Sequence, residues 1–216
     1  MGTFTRSTVL SLFVAVVVST PVAAQQGMMS FFLTSAGPGS GAALGGLEGA
    51  DAYCQSLADA VEADGTWHAY LSAHASGSQR AVNARERIGF GPWYNAKGIE
   101  VASTLNNLHS PVMQLGKENS LTENGDMVNG RGDSPNQHDI LTGSTLDGRT
   151  IDDGSNHSCN NWTSNSAGTA QVGHFDRTGG GANPNSWNSA HSSRSCSQED
   201  LIATGGNGYF YCFAID

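Results

Sequence analysis

The residue types that could hold a metal ion are concentrated in one irregular polar stretch between residues 114 and 139. Calcium takes about six to eight oxygen ligands in flexible geometry, and this stretch offers both carboxylate and amide oxygens. The candidates are Glu123, Asn124, Asp126, Asp133, Asn136 and Asp139. Their spacing fits no EF-hand loop, and a solvated acidic loop is the alternative interpretation. We take Asp126, Asp133 and Asp139 as the candidate calcium ligands.

Histidines provide the other chemistry in the chain. His138, His174 and His191 could hold zinc instead, although no two of them have the paired spacing of a zinc motif. His174 and Asp176 in GHFDRTG could form a general base and its partner, which would make a loop-sited hydrolase. Hydrogen bonding of such side chains to loop backbone is the simpler interpretation. Because HExxH, Gly-x-Ser-x-Gly and phosphate-loop motifs are also absent, we expect a binding protein and not an enzyme.

A tryptophan surrounded by asparagines indicates a carbohydrate-binding loop. Sugar sites combine an aromatic face with a few amide or carboxylate groups that bind the hydroxyls. The string NPNSWNS supplies both, in the residues Asn183, Asn185, Trp187 and Asn188. We take Trp187 as the candidate for an exposed stacking platform, and a buried loop anchor is the alternative.

The string GRGDSP at residues 130–135 has the sequence of an integrin-binding peptide. In that role Arg131 and Asp133 would contact a receptor. The same residues also form turns readily, because Gly132 tolerates unusual φ and Asp133 can cap the backbone that follows. An RGD triplet arises by chance in roughly one chain in thirty of this length. We favour a turn, structural or at the calcium site, and keep an RGD-type adhesin for matrix proteins or integrins as the alternative.

The charge of the chain excludes one class of partner. The formal net charge is −9, and Lys and Arg form no cluster. A general positive field that would attract nucleic acid is therefore not expected. The partner that we expect is an extracellular glycan or a matrix protein.

The first 24 residues are predicted to be a secretory signal peptide. Arg6 precedes an apolar run at residues 9–18, and Val22 and Ala24 fit the cleavage-site pattern. The run is too short to span a bilayer, so we expect no membrane insertion and a secreted or periplasmic protein. Residues 25–216 are predicted to form a single domain.

The cysteine count predicts two disulfides. Four cysteines follow the predicted signal peptide, and an even number in an exported chain indicates a disulfide framework. They are Cys54, Cys159, Cys196 and Cys212. Three pairings are possible, and the spacing does not choose among them.

Hydrophobic periodicity predicts the elements that position these residues. Apolar residues at steps of three and four between 47 and 61 predict one main helix. Residues 208–215 are apolar on both alternating faces, which indicates a central strand covered on both sides. Stretches 114–137 and 143–200 have little periodicity and are predicted to be largely long loops. Shorter elements are predicted as strands at 28–36, 66–73, 138–144 and 169–175, a hairpin at 93–103 and a short helix at 78–89.

Three segments carry a resemblance to a known family. They are GGLEGADAYCQSLADAVEADGTWHAYLSA, ILTGSTLDGRTIDDGSNHSCNNWTS and SSRSCSQEDLIATGGNGYFYCFAID. Together they resemble the endostatin domain of collagen type XVIII and bacterial endostatin-like secreted proteins, including proteins labelled lectins. The resemblance covers roughly residues 30–216, and the order of the four cysteines and GGLEGAD are its most specific parts.

The resemblance implies a C-type-lectin-like α+β fold: an irregular, twisted antiparallel sheet with one main helix and long loops. It also implies two nested disulfides, Cys54–Cys212 and Cys159–Cys196. Two family properties do not transfer to this chain. The N-terminal part of the domain lacks the histidines of the endostatin zinc site, and the arginine-rich surface that binds heparin is missing.

Overall fold

The computed structural model describes residues 1–2 and 29–216. The predicted signal peptide therefore lies, apart from its first two residues, outside the described part of the chain. Within the described residues, no helix has both the length and the apolar character needed to cross a membrane.

Eight short strands and four helical segments are described. The strands are β1 (Phe31–Leu33), β2 (Trp67–Ala69), β3 (Trp93–Tyr94), β4 (Glu100–Ala102), β5 (Asp139–Leu141), β6 (Gln171–His174), β7 (His191–Ser192) and β8 (Gly206–Ala214). The helical segments are α1 (Gly46–Ala60), α2 (Leu105–Leu108), α3 (Cys159–Trp162) and α4 (Gln198–Ala203). The chain is thus a mixed α+β structure with one main helix.

The main sheet has the strand order β1-β8-β5-β6-β7, and β2 also pairs with β8. β8 runs antiparallel to β1 and β2 but parallel to β5, where Leu141 lies opposite Phe210. The prediction of an antiparallel sheet is therefore wrong for this pair. A parallel pair needs a long crossover, which β6, β7 and α4 provide between β5 and β8.

Alternate residues of β8 enter two hydrophobic cores on opposite faces of the sheet. Phe210 and Cys212 belong to the core beside α1, whereas Tyr209, Tyr211 and Phe213 belong to the core on the other face. This alternation follows from the two-residue period of a strand. The predicted central strand, covered on both sides, is confirmed.

Helix α1 packs on the sheet through its small residues. Its buried side chains are Ala50, Cys54 and Ala58, which share one face because they are four residues apart. Cys54 forms a disulfide with Cys212 of β8. The predicted main helix and this predicted pairing are both confirmed.

The second disulfide, Cys159–Cys196, lies inside the stretch that was predicted to be mostly loop. α3 is a single turn in which all four residues have positive φ, from 48° to 65°. Such a left-handed turn costs roughly 1–2 kcal/mol per residue, and the disulfide and the buried Trp162 side chain hold it in place. The sequence did not predict β7 or α4 in this stretch.

Two of the shorter predictions have opposite outcomes. The hairpin predicted at 93–103 is confirmed as the antiparallel pair β3–β4. The helix predicted at 78–89 is wrong, since only a 3-10 turn at Ala84–Glu86 forms there.

Candidate functional site

The structure buries Trp187, so the prediction of an exposed stacking platform is wrong. The side chain is 2% exposed, and its ring centroid lies 4.8 Å from that of Tyr70 and 5.2 Å from that of Tyr211. Asn188 is also buried, and its amide donates hydrogen bonds to the Tyr70 hydroxyl at 2.9 Å and to the Thr145 carbonyl at 3.0 Å. Trp187 and Asn188 therefore anchor their loop to the core.

The four predicted sugar-binding residues nevertheless line one open groove of about 520 Å³, which we call the loop groove. Asn185 is exposed and Asn183 half-buried, and the Asn183 amide donates to the Ser189 carbonyl at 3.0 Å. The other lining residues are His109, Ser110, Pro111, Met113, Leu146, Arg177, Ala182, Pro184 and Ser186. The structure thus brings the predicted residues together, with Asn185 exposed, Asn183 half-buried, and Asn188 and Trp187 buried beneath them.

Arg177 is the residue of the loop groove that the sequence did not indicate. It adopts φ 55°, which is uncommon for a residue other than glycine. One terminal nitrogen donates to the Pro111 carbonyl at 3.2 Å, but the buried Nε has no hydrogen-bond partner within the described residues. This Nε is closed to solvent, but Arg177 as a whole is only half-buried, so its guanidinium gives the groove a positive charge.

A larger groove of about 750 Å³ lies beside the beginning of α1 and residues 73–82. Of its charged residues, Asp51 and Arg87 form an ion pair with each other at 2.6 Å, while Glu48 and Arg80 are exposed. The sugar-binding candidates do not line it. We therefore treat the smaller loop groove as the candidate ligand site.

The GRGDSP string forms a turn that is bonded to the rest of the domain. Arg131 and Gly132 are exposed. The Asp133 carboxylate, however, accepts hydrogen bonds from Lys117 at 2.5 Å and from the Gly130 N–H at 2.8 Å. The hydrogen bond from Lys117 is the main cause of the lowered pKa of Asp133, and the hydrogen bond from the Gly130 N–H lowers that pKa further. The carboxylate that an integrin would need is engaged within the protein itself.

The three candidate calcium ligands are not gathered into one site. Asp126 is exposed, Asp133 pairs with Lys117, and Asp139 is buried. Among the described residues, the group of potential ligands whose donor atoms lie within 4.8 Å of one another is His138, Asp139 and His174. Asp139 is thus the one predicted ligand that lies in a cluster, and its neighbours are histidines.

Sheet register assembles this histidine cluster, which we define as His138, Asp139, His174 and His191. Asp139 of β5 lies opposite His174 of β6. His191 of β7 lies opposite Val172, two residues before His174 on the same face of β6. His138 directly precedes β5. Three neighbouring strands therefore place residues from distant parts of the sequence side by side.

The histidine Nε2 atoms converge on one oxygen. Asp139 Oδ1 lies 3.3 Å from His138 Nε2, 3.4 Å from His174 Nε2 and 3.5 Å from His191 Nε2. The rings of His138 and His174 stack with centroids 4.2 Å apart. Both Asp139 oxygens and His174 Nε2 are nevertheless buried without a hydrogen-bond partner in the described chain. These contacts are close in distance but are not satisfied hydrogen bonds.

The Nδ1 atom of each of the three rings lies close to a hydrogen-bond acceptor. His138 Nδ1 lies 3.2 Å from Asp176 Oδ1, His174 Nδ1 lies 2.8 Å from the Pro184 carbonyl, and His191 Nδ1 lies 3.0 Å from the Ser192 carbonyl. A carboxylate or carbonyl oxygen accepts only, so each Nδ1 carries the proton. In neutral rings of this tautomer Nε2, the nitrogen nearer to Asp139, carries the lone pair.

The carboxylates of this region are ionised. Burial acts to raise the pKa of Asp139, but the approach of His174 and His191 outweighs it and lowers that pKa. Burial acts in the same way on Asp176, and its contacts with His138 and the Arg131 N–H lower its pKa to about 2. The Asp139 carboxylate in turn raises the pKa of His191 against the effect of burial.

The His174–Asp176 pair considered for a hydrolase does not form. Asp176 contacts His138, and His174 donates to the Pro184 carbonyl instead. His174 is 1% exposed, so its ring is not open to a substrate.

The chain matches no known protein-family profile and no curated protein at a significant level of similarity.

Proposed function

We propose that the protein is a secreted, non-catalytic binding domain that recognises a carbohydrate in the loop groove. The endostatin-like, C-type-lectin-like fold that we propose for it is consistent with the mixed α+β architecture, the single main helix and the nested disulfides. Two buried disulfides are typical of proteins from oxidising compartments. Loops on a rigid scaffold commonly carry binding residues.

The observation that carries this proposal is the position of the half-buried Arg177 in a groove that Asn183 and Asn185 also line. Amides suit sugar hydroxyls, and a guanidinium binds a carboxylate through charge-assisted hydrogen bonds. Since the chain as a whole is acidic, Arg177 offers a local positive charge within a negative surface. A sugar that carries a carboxylate, such as a uronic acid, is therefore the ligand class that we propose.

A glycan array with neutral and uronic-acid sugars tests the proposal, using the purified protein and its Arg177→Gln variant. A hydrogen bond to a charged group contributes about 1.5–3 kcal/mol, so the variant should bind about 10- to 100-fold more weakly. Arg194→Gln is the matched control, because Arg194 lies outside the groove and is largely exposed.

The same array in buffers with and without added calcium tests the calcium prediction. Because Asp126, Asp133 and Asp139 are not gathered into one site, we expect equal sugar binding in both buffers. A protein that binds no sugar, or an Arg177→Gln variant that binds as well as the parent, would contradict the carbohydrate proposal.

A further inference from the structure

Several distances in the histidine cluster are those of a tetrahedral metal site. Zinc binds imidazole nitrogen and carboxylate oxygen at about 2.0–2.1 Å, so neighbouring ligand atoms of a tetrahedron lie about 3.3–3.4 Å apart. The three Nε2 atoms lie 3.3, 3.4 and 3.5 Å from Asp139 Oδ1. Three of the six edges of such a tetrahedron, those that meet at Asp139 Oδ1, thus have about the required length, and the ligand atoms of His138, Asp139 and His174 all lie within 4.8 Å of one another.

Buried polar atoms of the cluster lack a partner within the described chain. They are Asp139 Oδ1, Asp139 Oδ2 and His174 Nε2, none of which has a hydrogen-bond partner among the described residues. A single divalent ion would satisfy all of these atoms together.

The outer contacts of the rings are those of metal-binding histidines. Such histidines donate their second ring nitrogen to a carboxylate or a backbone carbonyl, which fixes the tautomer and the ring orientation. Asp176 and the carbonyls of Pro184 and Ser192 provide these acceptors. Asp176 is itself held by the Arg131 N–H at 2.6 Å, so the GRGDSP turn supports the cluster from outside.

We propose that His138, His174, His191 and Asp139 bind one zinc ion. Imidazole with a single carboxylate suits zinc, whereas calcium prefers an all-oxygen set. The ligand atoms of His138, Asp139 and His174 are already gathered within 4.8 Å of one another. The partly exposed His191 would turn inward to complete a closed, four-ligand site of the structural kind, which would fasten β5, β6 and β7 together. The His191 side chain is 26% exposed, and it provides the side from which the ion enters. This inference is independent of the carbohydrate proposal.

Zinc content and thermal unfolding of the purified, disulfide-bonded protein test the site. After treatment with a chelator and dialysis, we expect the protein to bind one zinc ion per chain and its Tm to rise, with no rise for calcium. Cobalt in its place should give the visible absorption of a tetrahedral complex. These measurements need no sugar ligand, so failure of the carbohydrate proposal leaves them unaffected.

Variants identify the ligands. We expect Asp176→Asn to weaken zinc binding about 10- to 100-fold, as the loss of an outer partner does, and His191→Gln and Asp139→Asn to weaken it further. His157→Gln is the matched control, because His157 pairs with a different carboxylate, that of Asp153, at 2.9 Å. His191→Gln is the decisive variant because its partly exposed side chain can change without disturbing the core.

Two results would overturn the proposal. One is a parent protein that, after exchange, binds no zinc and shows the same Tm with and without it. The other is a folded His191→Gln variant, with both disulfides intact, that binds zinc as tightly as the parent and the His157→Gln control.

Discussion

Asp176 links three separate segments through one carboxylate. Its oxygens accept from His138, from the Arg131 N–H and from the Thr178 N–H. A side chain at Gly130 would place its Cβ 2.7 Å from Asp176 Oδ2, so glycine permits this close approach. The first glycine of GRGDSP thus has a structural explanation that is independent of any receptor.

Asp133 provides the prediction at the scale of a residue. Because its carboxylate is bonded to Lys117 and Gly130, we expect no RGD-dependent adhesion. Integrin-coated surfaces should retain the parent protein and the Asp133→Glu variant equally, and a free GRGDSP peptide should displace neither. Adhesion that the peptide competes away and that Asp133→Glu abolishes would revive the adhesin alternative.

Strand β6 depends on close contact with the loop that carries Trp187. Gly173 lies between Val172 and His174, and a Cβ there would lie 1.9 Å from the Trp187 carbonyl oxygen and 2.4 Å from the Asn188 nitrogen. Both atoms belong to backbone, so neither can move aside cheaply. The glycine therefore fixes how closely the groove loop approaches the strand that carries His174.

Gly173→Ala is the prediction at the scale of an element. Overpacking typically costs about 1–3 kcal/mol, and we expect at least that loss in the free energy of unfolding, measured by chemical denaturation. Gly180→Ala is the matched control, because no atom lies within 4 Å of its added Cβ. Equal stability of the two variants would show that the loop does not pack on β6 as described.

The elements that the sequence predicted best are those with a strong local pattern. The main helix has a regular apolar face and β8 is apolar on both faces, so both were predicted. β7 is two residues long and α4 six, which is too short for periodicity to show. The parallel pairing of β5 with β8 is decided by strand order, which no local pattern encodes.

The candidate site was predictable in composition and not in geometry. The asparagine loop and the three histidines were recognised from residue type alone. The burial of Trp187 is set by Tyr70 and Tyr211, which come from distant segments. The convergence of the histidines on Asp139 depends on the register of three strands, and the unpaired Nε of Arg177 depends on the surrounding fold. Such relations are tertiary, so a single sequence does not display them.

The two disulfides allow a prediction at the scale of the whole molecule. All four cysteines are fully buried, so replacing either pair by alanine leaves comparable cavities. The bridges differ in the length that they close, with sequence separations of 158 and 37. From the chain entropy of the unfolded state, removing Cys54–Cys212 should lower the free energy of unfolding by about 5 kcal/mol, and removing Cys159–Cys196 should lower it by about 4 kcal/mol.

Guanidinium denaturation of the two double-alanine variants checks this order. The variant without Cys54–Cys212 should have the lower free energy of unfolding. The reverse order would indicate that the short bridge mainly restrains the left-handed turn at Cys159–Trp162 in the native state, rather than the unfolded chain.

The position of β8 in the chain has a consequence for how the protein is made. This strand, at Gly206–Ala214, pairs with β1, β2 and β5 and supplies both hydrophobic cores. During synthesis, β1, β2 and β5 therefore cannot pair with β8 until residues 206–214 emerge from the ribosome. Cys54 likewise cannot form its native disulfide until Cys212 has been synthesised. We therefore expect the sheet and both cores to form cooperatively and only after synthesis of β8. A chain that terminates before β8 should not fold.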